Sequence, residues 1–329
     1  MDAFMHRAKR LTTSPRLLQF QLRKITGTLS VRGNVPVISP LGYSFFHSYD
    51  GISRMSSITP YLKPVNLLSS GGLGRLLHSA VSKEIDRELF QIFRTNKAPV
   101  EIERLCHAFM KTKLNSLELE HIADLLFSIA VNRKIRIDVP FSLLAKRMKD
   151  VGVKVLSMDK LRKLLYGLRT ISTGKSVGSL NRYQREKLEF VSVAVTFVLA
   201  FNGAFNAQAV GNALYGLQRL SSAHIEVRSL VASLVPRVKS CKEDLNAQAV
   251  GNALYGLQGM NSDAAEVREL LKALVAKVMS CKEDVKAQTV GNALYGLQGM
   301  SSDVPEVRAV LSEMAPKIRQ SKLSTAEQI

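Results

Sequence analysis

Three side chains recur at fixed spacing in the C-terminal part of the chain, and all three have polar or aromatic surface to offer a ligand. Gln208, Asn212 and Tyr215 lie within the phrase NAQAVGNALYGLQ, residues 206–218. The phrase returns at 246–258 with Gln248, Asn252 and Tyr255, and as KAQTVGNALYGLQ at 286–298 with Gln288, Asn292 and Tyr295. An i, i+4, i+7 spacing lines the three up along one stripe of a helix. At about 100° per residue they fall roughly 140–200° round from Val210, away from the apolar side. An amide carries a donor beside an acceptor and can read a nucleobase edge. A phenol ring can stack on a base, for about 1–3 kcal/mol.

A second constellation is electrostatic. Residues 133–175 carry Arg133, Lys134, Arg136, Lys146, Arg147, Lys149, Lys154, Lys160, Arg162, Lys163, Arg169 and Lys175, opposed by Asp138, Asp150 and Asp159 alone. Such a surplus suits phosphate contacts. Lys160, Arg162, Lys163, Arg147 and Lys149 are its candidate contacts, with Tyr166 as a stacking ring. The stripe itself is uncharged, so it would contribute stacking and edge contacts with little counterion release.

Other chemistries find no footing. TGKS (173–176) has the end of a phosphate-binding loop, but the motif needs glycine where Arg169 stands, and no strand precedes it. The six histidines and three cysteines (Cys106, Cys241, Cys281) show no metal-ligand spacing and no nucleophile–base pattern. The expectation is a non-enzyme with no metal and no cofactor. Cys241 and Cys281 occupy the same position in successive copies of the repeat, which points to buried thiols in a reducing compartment.

What positions the stripe is a repeated unit. In 245–284, Val250, Ala253, Leu254 and Leu257 form the apolar side of a first helix. Gly259 is its expected stop. Val267, Leu270, Leu271, Leu274, Val275 and Val278 then mark a second amphipathic helix, with Asp263/Glu266 and Asp303/Glu306 expected as capping boxes. Weaker copies precede, aligned on Tyr166 in LRKLLYGLRT (161–170) and on Phe127 in IADLLFSIA (122–130). At the stripe positions they carry Asp159 and Lys163, then Glu120 and Asp124. Further helices are expected at 76–94 and 100–112. No unit of this kind buries its apolar face alone. The expected fold is all-α, an α-solenoid of about five stacked helical hairpins of roughly 40 residues each.

The two helices of the unit diverge unequally. Between 245–260 and 285–300 the only changes are Leu245 to Val285, Asn246 to Lys286 and Ala249 to Thr289, whereas 261–284 and 301–324 differ at most positions. The first helix is held harder, and packing of Val210, Leu214, Gly211, Ala213 and Gly216 does not by itself account for Gln208, Asn212 and Tyr215. A ligand on the stripe, or a neighbouring protein surface, would.

Between Asp2 and Asp50 the chain has no acidic residue but carries Arg7, Lys9, Arg10, Arg16, Arg23, Lys24 and Arg32 among serines, threonines and leucines. That composition resembles an organellar transit peptide, with mitochondrion favoured over plastid because no apolar secretory segment is present. A basic arm that binds RNA or membrane is the alternative. The most apolar run, FVSVAVTFVLAF (190–201), is too short to span a bilayer and reads as a core helix. The net charge of +19 favours an anionic partner.

The unit length and the phrase NALYGLQ resemble the octotricopeptide repeat over roughly 116–324. The resemblance implies an organellar protein that binds single-stranded RNA on its stacked first helices and acts in transcript stability, processing or translation. The second helices, PEVRAVL and AEVRELL, also resemble HEAT repeats, which implies a scaffold or a subunit of an organellar assembly such as a ribosome. The expected organisation is a leader over 1–75, capping helices over 76–115, two degenerate hairpins over 116–204, three near-identical hairpins over 205–324 and a tail, 325–329.

Overall fold

The computed structural model describes residues 71–94, 97–132, 134–174 and 180–320. The expected leader up to residue 70 and the tail lie outside them. Among the described residues twelve α-helices form: α1 Gly71–Ile92, α2 Pro99–Lys113, α3 Leu119–Val131, α4 Phe141–Val151, α5 Met158–Gly167, α6 Arg182–Ala200, α7 Ala207–Tyr215, α8 Ile225–Ser240, α9 Ala247–Tyr255, α10 Ala265–Ser280, α11 Ala287–Gly296 and α12 Pro305–Gln320. Among the described residues there is no strand. α1 is described from Gly71, ahead of the expected start at 76.

Each helix starts where its sequence allows. Asn206 and Asn246 cap α7 and α9, their side chains accepting from the N–H of Ala209 (2.8 Å) and Ala249 (2.7 Å). The third copy has Lys286 at this position, and α11 starts without a side-chain cap. Asn181 and Gln184 form a reciprocal capping box on α6. The expected Asp caps are not formed. α10 starts at Ala265 with Ala264 as its N-cap, and Asp263 is turned back to Asn261, whose amide donates to it at 3.0 Å. Asp303 accepts from Ser301 Oγ at 3.3 Å in the same way.

Helices pack in two series. α3 lies on α5, α5 on α7, α7 on α9 and α9 on α11; α4 lies on α6, α6 on α8, α8 on α10 and α10 on α12. α1 packs against α2 and α3 at the front. One apolar core runs unbroken from Ile85 to Ile318 between the series. The apolar run 190–201 lies mainly within α6, and Phe190, Val191, Phe197 and Val198 are buried in that core. Among the described residues no helix is long and apolar enough to cross a membrane.

Successive units are tied by repeated polar contacts as well. The N–H of Ser221, Asn261 and Ser301 donates to Thr173 Oγ1, Ser222 Oγ and Ser262 Oγ of the unit before, at 3.0, 2.8 and 3.0 Å. Thr173 of the TGKS stretch is therefore a buried inter-unit staple. Glu243 and Glu283, from the loops entering α9 and α11, accept from the first N–H of α7 and α9 (Ala207 and Ala247) at 2.8 and 2.9 Å. A carboxylate at a helix N-terminus also meets the positive end of its dipole.

A candidate interface on the tyrosine-bearing helices

The first-helix series carries a continuous row of rings. Phe127 (α3), Tyr166 (α5), Tyr215 (α7), Tyr255 (α9) and Tyr295 (α11) stand with successive centroids 5.2, 5.6, 5.7 and 5.6 Å apart. The last two pairs are stacked, with ring planes 30° and 22° from parallel. Arg169 lays its guanidinium 5.3 Å from the Tyr166 ring and 4.8 Å from that of Tyr215, and donates to Tyr166 Oη at 2.7 Å.

The helices come this close because of one glycine per unit. A Cβ at Gly216, Gly256 or Gly296 would overlap the carbonyl oxygen of Leu165, Leu214 or Leu254 on the preceding helix. Close approach covers the flank of each helix. Tyr215 is therefore buried, at 9% exposure, and Tyr166, Tyr255 and Tyr295 are half-buried. This corrects the expectation that Tyr215 faces solvent. A side chain directed away from the core centre points outward on a lone helix but sideways onto a neighbour in this array. Each tyrosine packs on its own counterpart in the next copy, so the ring is explained without a ligand.

The amides behave differently. Gln208, Gln248 and Gln288 are exposed, and Asn212, Asn252 and Asn292 are half-buried. None of the six makes a side-chain hydrogen bond among the described residues, although the caps beside them do. They flank the ring row as a grid of two rows by three copies, with donors and acceptors open to an incoming partner.

The basic cluster is largely spoken for. Lys160 and Lys163 both bind Asp124 of α3, the latter at 3.0 Å, and Lys163 also meets Asp159 at 2.9 Å. Arg162 pairs with Asp159 and sits 5.9 Å from the Phe127 ring. Partial burial opposes ionisation of Asp159, yet hydrogen bonds from Lys163 and Arg162 hold its carboxyl below the ordinary range. Arg147 Nε donates to the Leu117 carbonyl at 2.7 Å, and Lys149 lies 2.5 Å from Glu189. The structure thus gathers Lys160, Arg162, Lys163 and Tyr166 on α5 beside the row and puts Arg147 and Lys149 on α4 of the other series. Arg133 and Lys175 lie outside the described residues. Asp124 was legible as a stripe position but not as the acceptor for two lysines 36 and 39 residues away.

His121, buried on α3, has its Nε2 3.0 Å from Ser82 Oγ and 3.7 Å from Asp86. Its Nδ1 accepts from the Glu118 N–H at 3.0 Å, so the ring hydrogen sits on Nε2, facing the hydroxyl, and cannot take that hydroxyl's proton. Burial lowers the His121 pKa against the pull of Asp86 and Glu118. Burial pushes the Cys106 thiol up to about 12, and Cys241 and Cys281 are also buried. No group of three or more histidine, cysteine or carboxylate side chains stands together as a metal site among the described residues.

Compared with known proteins, the chain matches no family model, no curated protein and no solved structure.

Proposed function

We propose that this chain is a non-catalytic RNA-binding protein of an organelle, mitochondrion before plastid, and that it holds single-stranded RNA along the grid of Gln208, Gln248, Gln288, Asn212, Asn252 and Asn292. In this reading α3–α4, α5–α6, α7–α8, α9–α10 and α11–α12 are the five hairpins of an α-solenoid, consistent with the two series of helix contacts. The observation that carries it is the amide grid: repeated without change, exposed or half-exposed, and free of protein partners among the described residues. Restraint without packing is what a ligand imposes. The tyrosines serve as the spine that sets the spacing of the amides, and base-edge hydrogen bonds supply selectivity. The acid-free leader supports the organelle. The resemblance to octotricopeptide repeats points to transcript stability, processing or translation as the outcome.

The aromatic row and the pairing of Lys160 and Lys163 with Asp124 favour a second reading, a scaffold that binds protein on the same face. One experiment separates the two. RNA crosslinked to the protein in cells is sequenced for the wild type and for a variant with all six amides changed to alanine. The RNA reading expects enriched sequences that the variant loses while its melting temperature holds. An unenriched or unchanged RNA profile, with a protein co-complex that survives RNase and is lost in the variant, transfers the face to the scaffold reading.

A further inference from the structure

Among the described residues the row of rings ends at Phe127. Phe127 also lines a cleft of ≈630 Å³ between the C-terminal half of α1 and the helices α3 and α5. Leu89 and Phe90 of α1, with Phe93 just after it, supply its apolar wall, and Phe90 is 71% exposed. The rim is charged and mixed, with an excess of cations: Arg94, Lys160 and Lys163 against Asp86 and Asp124. Lys160 has three donors and uses one on Asp124. Arg94 makes no ion pair among the described residues.

We infer that this cleft binds a nucleoside monophosphate. A planar base fits as a further rung beyond Phe127, against Phe90 and Phe93, because every existing rung is an aromatic ring 5.2–5.7 Å from the next. The monoanionic to dianionic phosphate meets the spare N–H donors of Lys160 and the Arg94 guanidinium. Asp86 gives an acceptor for an exocyclic amino group. A purely apolar occupant would strand the rim charges, and an organic cation would meet a rim of three cations against two anions. The site uses none of the amide grid and stands apart from the RNA reading. Its occupant is a free nucleotide or the 5′ end of a strand.

Calorimetric titration of the full chain tests it, with adenosine 5′-monophosphate, adenosine and ribose 5-phosphate as probes. Adenosine 5′-monophosphate should bind one per chain, and each half-probe should bind weaker by about tenfold or more, as loss of a stacked base or of a charged contact requires. Phe127→Leu should weaken the nucleotide by a similar factor, while Met279→Ala, at an exposed position on α10 outside the cleft and the amide grid, should leave it unchanged. Because Phe127 also packs on Tyr166, the exposed Phe90→Ser gives a second variant that should weaken binding without moving the melting temperature. A 5′-phosphorylated oligoadenylate that competes marks a strand end as the source; one that does not marks the free nucleotide. Equal affinity for adenosine 5′-monophosphate and ribose 5-phosphate, absence of saturable binding, or full binding by Phe90→Ser would overturn the inference.

Discussion

Tyr255 sits between two like rings, 5.7 Å from Tyr215 and 5.6 Å from Tyr295. Aromatic pairs contribute about 0.5–1.5 kcal/mol each beyond the area they bury. Tyr255→Ala removes two pairs and a half-buried ring, and should destabilise the fold by about 2–4 kcal/mol in denaturant titration. Tyr255→Phe keeps both pairs and should stay within about 0.5 kcal/mol of the wild type. If the alanine variant is as stable as the phenylalanine one, the row is incidental to stability. His121 gives a pH prediction. Its folded-state pKa lies below its unfolded value because burial disfavours the cation. Its neutral form is therefore compatible with full stability above about pH 6.5. As pH falls from there towards the folded pKa, the unfolded chain binds the proton first and stability drops. Denaturant midpoints at about pH 7.5 and about pH 5.5 should separate more for the wild type than for His121→Gln, which cannot titrate. Equal separation assigns the acid sensitivity to other groups.

At the scale of the element, the contrast between α9 and α11 is a built-in comparison. Lys286→Asn should restore the cap that Asn246 gives its own helix, adding about 1 kcal/mol, while Asn246→Ala should remove about as much. Thermal melts of the two variants decide it; a neutral Lys286→Asn would mean that the α11 start is satisfied in another way. Gly256→Ala is expected to be harsher, about 3 kcal/mol or more, since the new methyl must push α9 off the Leu214 carbonyl. These helices were legible because Val250, Leu254, Leu257 and Val267, Leu270, Leu274 repeat with helical period and are all buried in one core. The side chains between the helices were not. The period gives a direction around one axis, and Tyr215, on the flank away from Val210, becomes interior or exterior only once the neighbour's distance is known. That distance is set by Gly216, whose missing Cβ leaves no mark in a hydrophobic pattern. The Asp263 and Asp303 caps failed for a related reason: Asn261 and Ser301, two residues earlier, compete locally for the same carboxylates.

For the whole molecule, the same joint is used again and again: glycine on carbonyl, ring on ring, serine hydroxyl under the next N–H, glutamate on the previous helix start. Contacts run mainly to adjacent units, so stability should vary along the array rather than being uniform. Amide hydrogen exchange should be slowest in α7–α10, which have described units on both sides, and faster in α11 and α12; uniform protection would argue for a single all-or-none body. An interface that matches itself has a genealogical consequence. Residue 246 follows Leu245 as residue 286 follows Val285, so excising 246–285 joins two ends that already fit, and Tyr215 would meet Tyr295 as it now meets Tyr255. Unequal crossing-over within the coding sequence would then yield arrays one copy shorter or longer that fold at once, and length becomes a trait that a lineage can change in a single step.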